Sequence, residues 1–293
     1  VAAVAGSEAV IFRRLIEVLK IRPELLRPEL VDGRMAAPVI TTENVAAAFD
    51  EVAPHYDLMV ALNPGYHEHL RQAADALVER LPWRELAAQP ASGDLLLDLG
   101  CGSGASTRAL LKAARAAGVR CGIVGADASC GMIEQARAKN WPAGVRFQLG
   151  HAEEIAEARE RWGIGGPLHG VLAAYLFRNV GDRDALLAGL LNLLADGAVL
   201  VVQEYSTAGS RLWTRALWTL VCWLAIIPLG WLMSPRSRLY RYLWRSVRSF
   251  DSVQTFVDRL YGAGFVDVEV RTVPGWQRGI LHTFRARKPV AVS

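Results

Sequence analysis

Between Asp94 and Arg108 the chain reads DLLLDLGCGSGASTR, an apolar run that closes on Asp98 and Leu99 and then breaks into three alternating glycines, Gly100, Gly102 and Gly104. This stretch constrains the fold more than any other. An apolar run ending in a glycine turn and a small-residue segment reads as a β-strand feeding a helix, and glycines there let a ligand approach the backbone and the helix N-terminus. Asp127 closes the next apolar run, 23 residues beyond Gly104, where a carboxylate can accept hydrogen bonds from ribose hydroxyls. The pattern describes an adenine nucleoside site.

From residue 94 onward, short apolar runs at 94–99, 121–127, 145–149, 168–175 and 197–205 alternate with helical stretches. Strands separated by helices of this length imply right-handed βαβ crossovers and a doubly wound parallel sheet. The segments GFVDVEVRTV (264–273) and GILHTFRARK (279–288) alternate like strands around a Pro-Gly turn, which predicts an antiparallel hairpin after the helix in DSVQTFVDRLYGAG. Upstream, residues 1–40 read as a helical arm whose helix over 7–20 is closed by two RPEL repeats, and 41–293 as the main domain. A helix opens behind Thr41 or Thr42, and Pro54 is expected to stop it just before Tyr56 and Asp57.

Composition narrows the partners. With 33 basic and 29 acidic residues, the net charge of +4 is too mild to imply nucleic-acid binding. Four cysteines without a CxxC pair or histidines at zinc spacing indicate neither a disulfide framework nor a structural metal, and a reducing cytoplasm is the simpler setting. The N-terminal VAAVAGSEAV lacks a basic region and a full apolar core, so it does not read as a signal peptide.

The glycine turn fits two ligands. Gly100, Gly102 and Ala105 satisfy a nicotinamide-dinucleotide fingerprint, but the spacing is GxGxG, and Asp98 would repel a pyrophosphate while suiting an ammonium. The stretch LLLDLGCGSG resembles the first motif of class I S-adenosylmethionine-dependent methyltransferases, an α/β family with a doubly wound, mostly parallel seven-stranded sheet and one final antiparallel strand. That resemblance implies S-adenosyl-L-methionine as cofactor, with Gly100, Gly102 and Gly104 approaching its methionine part and Asp98 nearby. Asp127 would hold the ribose, and Met132 in DASCGMI would pack on adenine or, equally, serve ordinary helix packing. Three further stretches, AFDEVAPHYDLM (48–59), YLFRNVGDRDALL (175–187) and LLADGAVLVVQEYS (193–206), resemble the ubiquinone/menaquinone biosynthesis C-methyltransferases, as does the C-terminal region over 239–265. This family puts Thr107, His151 and Ala152 at cofactor positions and Ala174 at the end of the fourth strand. His151 replaces its usual Asp or Asn, Ala174 lacks the usual hydroxyl, Val60 stands for an Asn, and ADGA (195–198) replaces KPGG.

Methyl transfer needs no nucleophilic residue, but a ring carbon beside a phenol hydroxyl needs help to polarise that hydroxyl. Arg178, after the fourth strand, can stabilise a phenolate or pair with Asp182 or Asp184. Tyr56 and Asp57 can order the acceptor, His55 is a candidate base or a solvated histidine, and Asn179 can donate to the acceptor or cap the helix near Asp182. Glu204 faces the acceptor or pairs with a following arginine.

Residues 211–248 hold five of the nine tryptophans, seven arginines and no acidic residue. Within the expected insertion at 207–250, a single membrane crossing would separate the last helix and hairpin from their sheet, so a helical hairpin broken near Pro228 and Gly230 is expected to dip into one leaflet of an anionic membrane. A buried lid or an oligomer interface is the other reading. Together these features predict a cytoplasmic methyltransferase, peripheral on the inner face of the membrane, acting on a carbon of a lipophilic quinol or related phenol. N- or O-methylation of a phospholipid or hydrophobic metabolite is the alternative, and a nicotinamide-dependent oxidoreductase or non-catalytic cofactor-binding protein is the reading from another class.

Overall fold

In the computed structural model the described residues are 40–61, 63, 65–81, 95–119, 121–233 and 239–290. All of the expected arm except Ile40 lies outside them. In chain order the elements are α1 (Val45–Ala61), α2 (Tyr66–Val78), β1 (Leu95–Leu99), α3 (Ala105–Ala116), β2 (Gly122–Asp127), α4 (Cys130–Arg137), β3 (Val145–Leu149), the short α5 (Ile155–Ala158), β4 (Leu168–Ala174), α6 (Arg183–Leu193) and β5 (Leu194–Tyr205). An insertion follows, made of α7 (Leu212–Val221), a π-helical segment (Cys222–Ile226), α8 (Ile227–Met233) and α9 (Leu239–Ser249). The chain closes with α10 (Val253–Gly262), β6 (Val266–Thr272) and β7 (Leu281–Arg287).

The seven strands form one sheet in the order β3-β2-β1-β4-β5-β7-β6. Pairing is parallel from β3 through β5, and β7 alone runs antiparallel between β5 and β6. Side chains alternate across the sheet, so Leu97 and Leu99 join the core shared with α6 and α10 while Leu96 joins the opposite core with Ala73, Leu77 and Leu110 from α2 and α3. Apolar cover on both faces is what parallel strands require. The strand order reverses between β1 and β4, and such a reversal leaves a crevice outside the carboxyl ends of these strands.

Two expectations about helix ends are corrected. Pro54 lies inside α1, which runs on to Ala61. An interior proline costs a helix about 3 kcal/mol, and packing on both sides of Pro54 offsets it: Asp50 accepts hydrogen bonds from Ser129 Oγ (2.5 Å) and Gly131 N (2.9 Å), and Tyr56, Met59 and Val60 pack against Tyr66, Leu70 and Ala174. In the insertion the chain stays helical through Pro228 and Gly230 instead of breaking there. The wider π turn just before Pro228 relieves the clash of its ring with the preceding carbonyl. Gly230 is a docking point, since a Cβ there would collide with the Tyr240 ring of α9.

Candidate functional site

A cavity occupies the crevice at the β1/β4 reversal, with one end on the glycine turn and the other beneath the insertion. Gly100, Gly102, Asp127, Met132, His151 and Ala152 line the first end. Asp127 ends β2 and braces the turn: its Oδ2 accepts from Gly102 N at 2.8 Å and its Oδ1 from Ser129 N at 2.9 Å. Burial raises the pKa of Asp127, and those backbone donors work against that shift. Ser129 caps α4 by accepting from Met132 N at 3.1 Å, which fixes Met132 on the cavity wall. Met132 also belongs to a core cluster with Val52, Ala53 and Leu239, which is the helix packing the sequence offered as one of its two readings.

The three glycines have different reasons to be glycine. All have positive φ, of 75°, 52° and 90° at Gly100, Gly102 and Gly104. A Cβ on Gly104 would meet Trp141 at 2.8 Å and one on Gly100 would meet Leu176 at 3.0 Å, whereas nothing lies within 4 Å of the position on Gly102. Gly102 is therefore the residue that leaves room for a ligand. Gly104, expected to approach the cofactor, does not line the cavity, and a Cβ there would collide with the Trp141 indole.

Asp98, expected near the turn, and Thr107, expected at a cofactor position, lie together. Both are fully buried beneath the turn, outside the cavity lining, where Asp98 Oδ2 accepts from Ser106 Oγ (2.7 Å) and from the Thr107 hydroxyl. Burial lifts the Asp98 pKa to about 6 in spite of these two donors. Its Oδ1 has no hydrogen-bond partner among the described residues. A buried carboxylate with an orphaned oxygen below an open glycine, together with the braced Asp127, fits a ligand that carries a cationic amino-acid head and a ribose.

At the other end, Arg178 comes from a 3₁₀ turn after β4 and is 8% exposed. It pairs with the fully buried Glu204 of β5, whose Oε2 also accepts from Arg178 N at 3.2 Å. Burial tends to lower the Arg178 pKa, but the Glu204 charge and hydrogen bond outweigh it and the net shift is upward. The expected partners are corrected: Asp182 caps α6 through Ala185 N (2.9 Å) and Asp184 pairs with Arg259. Sequence spacing offered carboxylates near in the chain, while the sheet supplies one 26 residues away. Arg178 Nε is buried without a hydrogen-bond partner among the described residues, and Arg178 lines the cavity.

Asn179 also lines the cavity, and it does not cap α6. It donates to Tyr175 O at 3.4 Å and accepts from Tyr242 Oη at 3.0 Å. Tyr56 faces the cavity from α1, and burial raises its pKa, against a hydrogen bond with Tyr66, so its hydroxyl remains protonated at neutral pH. His55 is exposed on α1 and outside the lining, which removes it as a base, because consecutive helical residues point about 100° apart. Asp57 is occupied by Ser103 Oγ (2.5 Å) and Lys139 Nζ (2.6 Å). Burial raises its pKa, and those two partners bring it below the usual value.

The sequence reading missed the aromatic wall. Tyr66, Tyr175 and Tyr205 line the cavity and stack in a column, with centroids 5.6 and 5.2 Å apart, that continues to Trp218 of α7 at 5.4 Å. Tyr175 has φ 60°, a conformation that costs a bulky side chain energy, and its hydroxyl is fully buried beside Tyr205. Leu243 of α9 completes this end, and Ala174 lies between the two halves. For Tyr175 and Tyr205 the sequence signal was tyrosine at a strand end, and for Tyr66, which opens α2, there was none.

A protein-family model described as the ubiE/COQ5 methyltransferase family matches residues 38–288. The chain is 28% identical over 254 residues to the ubiquinone/menaquinone biosynthesis C-methyltransferase UbiE of Stutzerimonas stutzeri, covering 84% of this chain and 90% of that protein. It is 31% identical over 221 residues to the demethylmenaquinone methyltransferase of Thermus thermophilus, covering 74% and 90%. Among solved structures it shares its fold with the DszA carbon methyltransferase (TM-score 0.60, 18% identity, 96% of this chain and 66% of that one). The [4+2]-cyclase SpnF has the same fold (TM-score 0.54, 17% identity, 88% and 100%).

Proposed function

The chain belongs to the ubiE/COQ5 methyltransferase family, and from that premise we propose that this S-adenosylmethionine-dependent enzyme C-methylates the ring of a lipid-soluble quinol or related phenol at a membrane surface. The observation that carries the acceptor reading is the Arg178 guanidinium, buried at the aromatic end of the cavity with an unpartnered Nε. A neutral amine develops no anion for a fixed buried cation to stabilise, whereas a phenol that releases its hydroxyl proton to water as its ring carbon attacks, the ring hydrogen leaving to water afterwards, gains from one.

Gly102, Asp127, Met132, His151 and Ala152 are the residues that would hold the cofactor, with Asp98 acting from below the turn. When bound, S-adenosylmethionine supplies an electrophilic methyl group on a sulfonium. The protein orients the acceptor: Arg178 and Asn179 face the phenol oxygen, Tyr56 adds a protonated hydroxyl donor, and the tyrosine wall excludes water from the ring. Positioning of this kind contributes up to ~7–11 kcal/mol in favourable cases. The developing oxyanion is stabilised by a cation whose own charge Glu204 keeps in place.

The insertion gives the acceptor end an apolar, arginine-rich neighbour, which supports a lipid-soluble acceptor and a peripheral location on the cytoplasmic face of a membrane. The test is incubation of the full chain with methyl-labelled cofactor and a membrane lipid extract. Label is expected on the quinone fraction, at ring carbon. Label confined to phospholipid would replace the quinol reading with headgroup methylation.

A further inference from the structure

The helix formed by α7, the π segment and α8 is long and apolar enough to span a bilayer over Leu212–Trp231, with a mean hydropathy of 1.6. A single crossing would put β6 and β7, which share one sheet with β5, across the bilayer from it. Thr214, Trp218, Cys222 and Gly230 are buried at intervals of four or eight residues, so one stripe of the helix is fastened to the domain along its length. The opposite stripe is bare: Leu212 is 81% exposed, Trp213 59%, Leu220 51% and Trp231 41%.

Arginines border that bare stripe. Arg215 and Arg248 line a shallow groove with Leu212, Leu220, Trp223 and Leu224, and the Arg248 guanidinium lies over the Trp244 ring. Arg211, Arg241 and Arg245 are exposed beside it. None of these five has an acidic partner among the described residues. Exposed indoles and leucines flanked by unpaired guanidiniums match the interfacial layer of a lipid bilayer, apolar below and phosphate above.

We propose that the outer face of α7, the π segment, α8 and α9 docks in the plane of an anionic lipid bilayer, neither spanning it nor pairing with a second copy of the chain. A two-fold contact through the same face would set arginine against arginine in a segment without a single acidic residue, which is unfavourable. The inner side of the docking element is the acceptor end of the cavity. Tyr242 of α9 holds Asn179, Leu243 lines the wall and Trp218 of α7 ends the tyrosine column. Docking therefore brings this end of the cavity to the bilayer surface. The purpose of the surface rests on the reading of a lipid-soluble acceptor, but its existence does not.

The test is flotation of the full chain with vesicles of phosphatidylcholine alone and of phosphatidylcholine mixed with phosphatidylglycerol, without methyl donor or quinol. Binding is expected to the anionic vesicles only, and high salt should release it. Replacing Arg215 and Arg248 together by glutamine should weaken vesicle affinity about thirtyfold, and Trp213→Ser should weaken it further, while affinity for S-adenosylhomocysteine stays unchanged in both. No flotation with either vesicle, equal flotation with both, or undiminished affinity in the double variant would overturn the proposal. A concentration-dependent dimer without vesicle binding would overturn it in favour of self-association. Vesicle binding that survives while no quinol is methylated would sink the acceptor reading and leave the docking surface standing.

Discussion

The two ends of the cavity are built by opposite means. At the cofactor end, backbone does the shaping: positive-φ glycines in one turn, N–H groups of Gly102 and Ser129 on Asp127, and a buried carboxylate below. At the acceptor end, side chains from separate segments converge: Tyr56, Tyr66, Arg178, Tyr205 and Leu243. Backbone shape recognises a ligand common to a whole fold, while a mosaic of side chains can change from chain to chain. Variants at the acceptor end should therefore affect turnover, and variants at the cofactor end should affect cofactor affinity.

The largest expected effect is on folding. Glu204→Gln leaves the Arg178 charge buried without its partner and should cost about 3–5 kcal/mol in a denaturant melt. Arg178→Ala removes the cation itself and should lower turnover about 10²–10³-fold with little change in cofactor affinity. An equal loss of cofactor affinity would blur the two ends into one.

Asp98 should give the cofactor end a pH signature of its own. Its folded pKa of about 6 lies above an unfolded value of about 3.9, so the folded form holds the proton more tightly. Its contribution is most favourable below about pH 4, declines as pH rises, and levels off above about pH 6, with an amplitude on the order of 2–3 kcal/mol. Asp98→Asn should abolish that decline, so the variant gains stability relative to the unaltered chain between about pH 4 and 6. Parallel stability curves for the two proteins would contradict it. Gly102→Ala puts a methyl group at positive φ into the open space and should weaken S-adenosylhomocysteine binding measurably, at a strain of roughly 1–2 kcal/mol. The smallest effect belongs to Tyr242→Phe, which loses one hydrogen bond to Asn179, worth about 1 kcal/mol, and should raise KM for the acceptor without changing cofactor affinity.

The same contrast explains what the sequence made legible. Asp98, the glycines and Asp127 stand in or just after consecutive strands, so local pattern located the turn, its ligand class and all seven strands. Even there, the family resemblance assigned all three glycines to the ligand alike, because whether a Cβ collides with Trp141 or meets open space depends on residues far along the chain. The Arg178–Glu204 pair was hidden for a similar reason, since the β4–β5 pairing brings its members together across 26 residues. Tyr56 was a candidate to order the acceptor and His55 a candidate base or a solvated histidine, and the continuation of α1 through Pro54 puts the first on the cavity face and the second on the solvent face. The apolar length of the insertion was plain, but its four-residue stripe of burial depends on the domain beneath it.

One calorimetric series puts the division most directly to the test: S-adenosylhomocysteine titrated into the unaltered chain, Asp127→Ala and Arg178→Ala. The account predicts comparable binding to the unaltered chain and Arg178→Ala, and loss of binding in Asp127→Ala. Undiminished binding in Asp127→Ala, or its loss in Arg178→Ala, would contradict it.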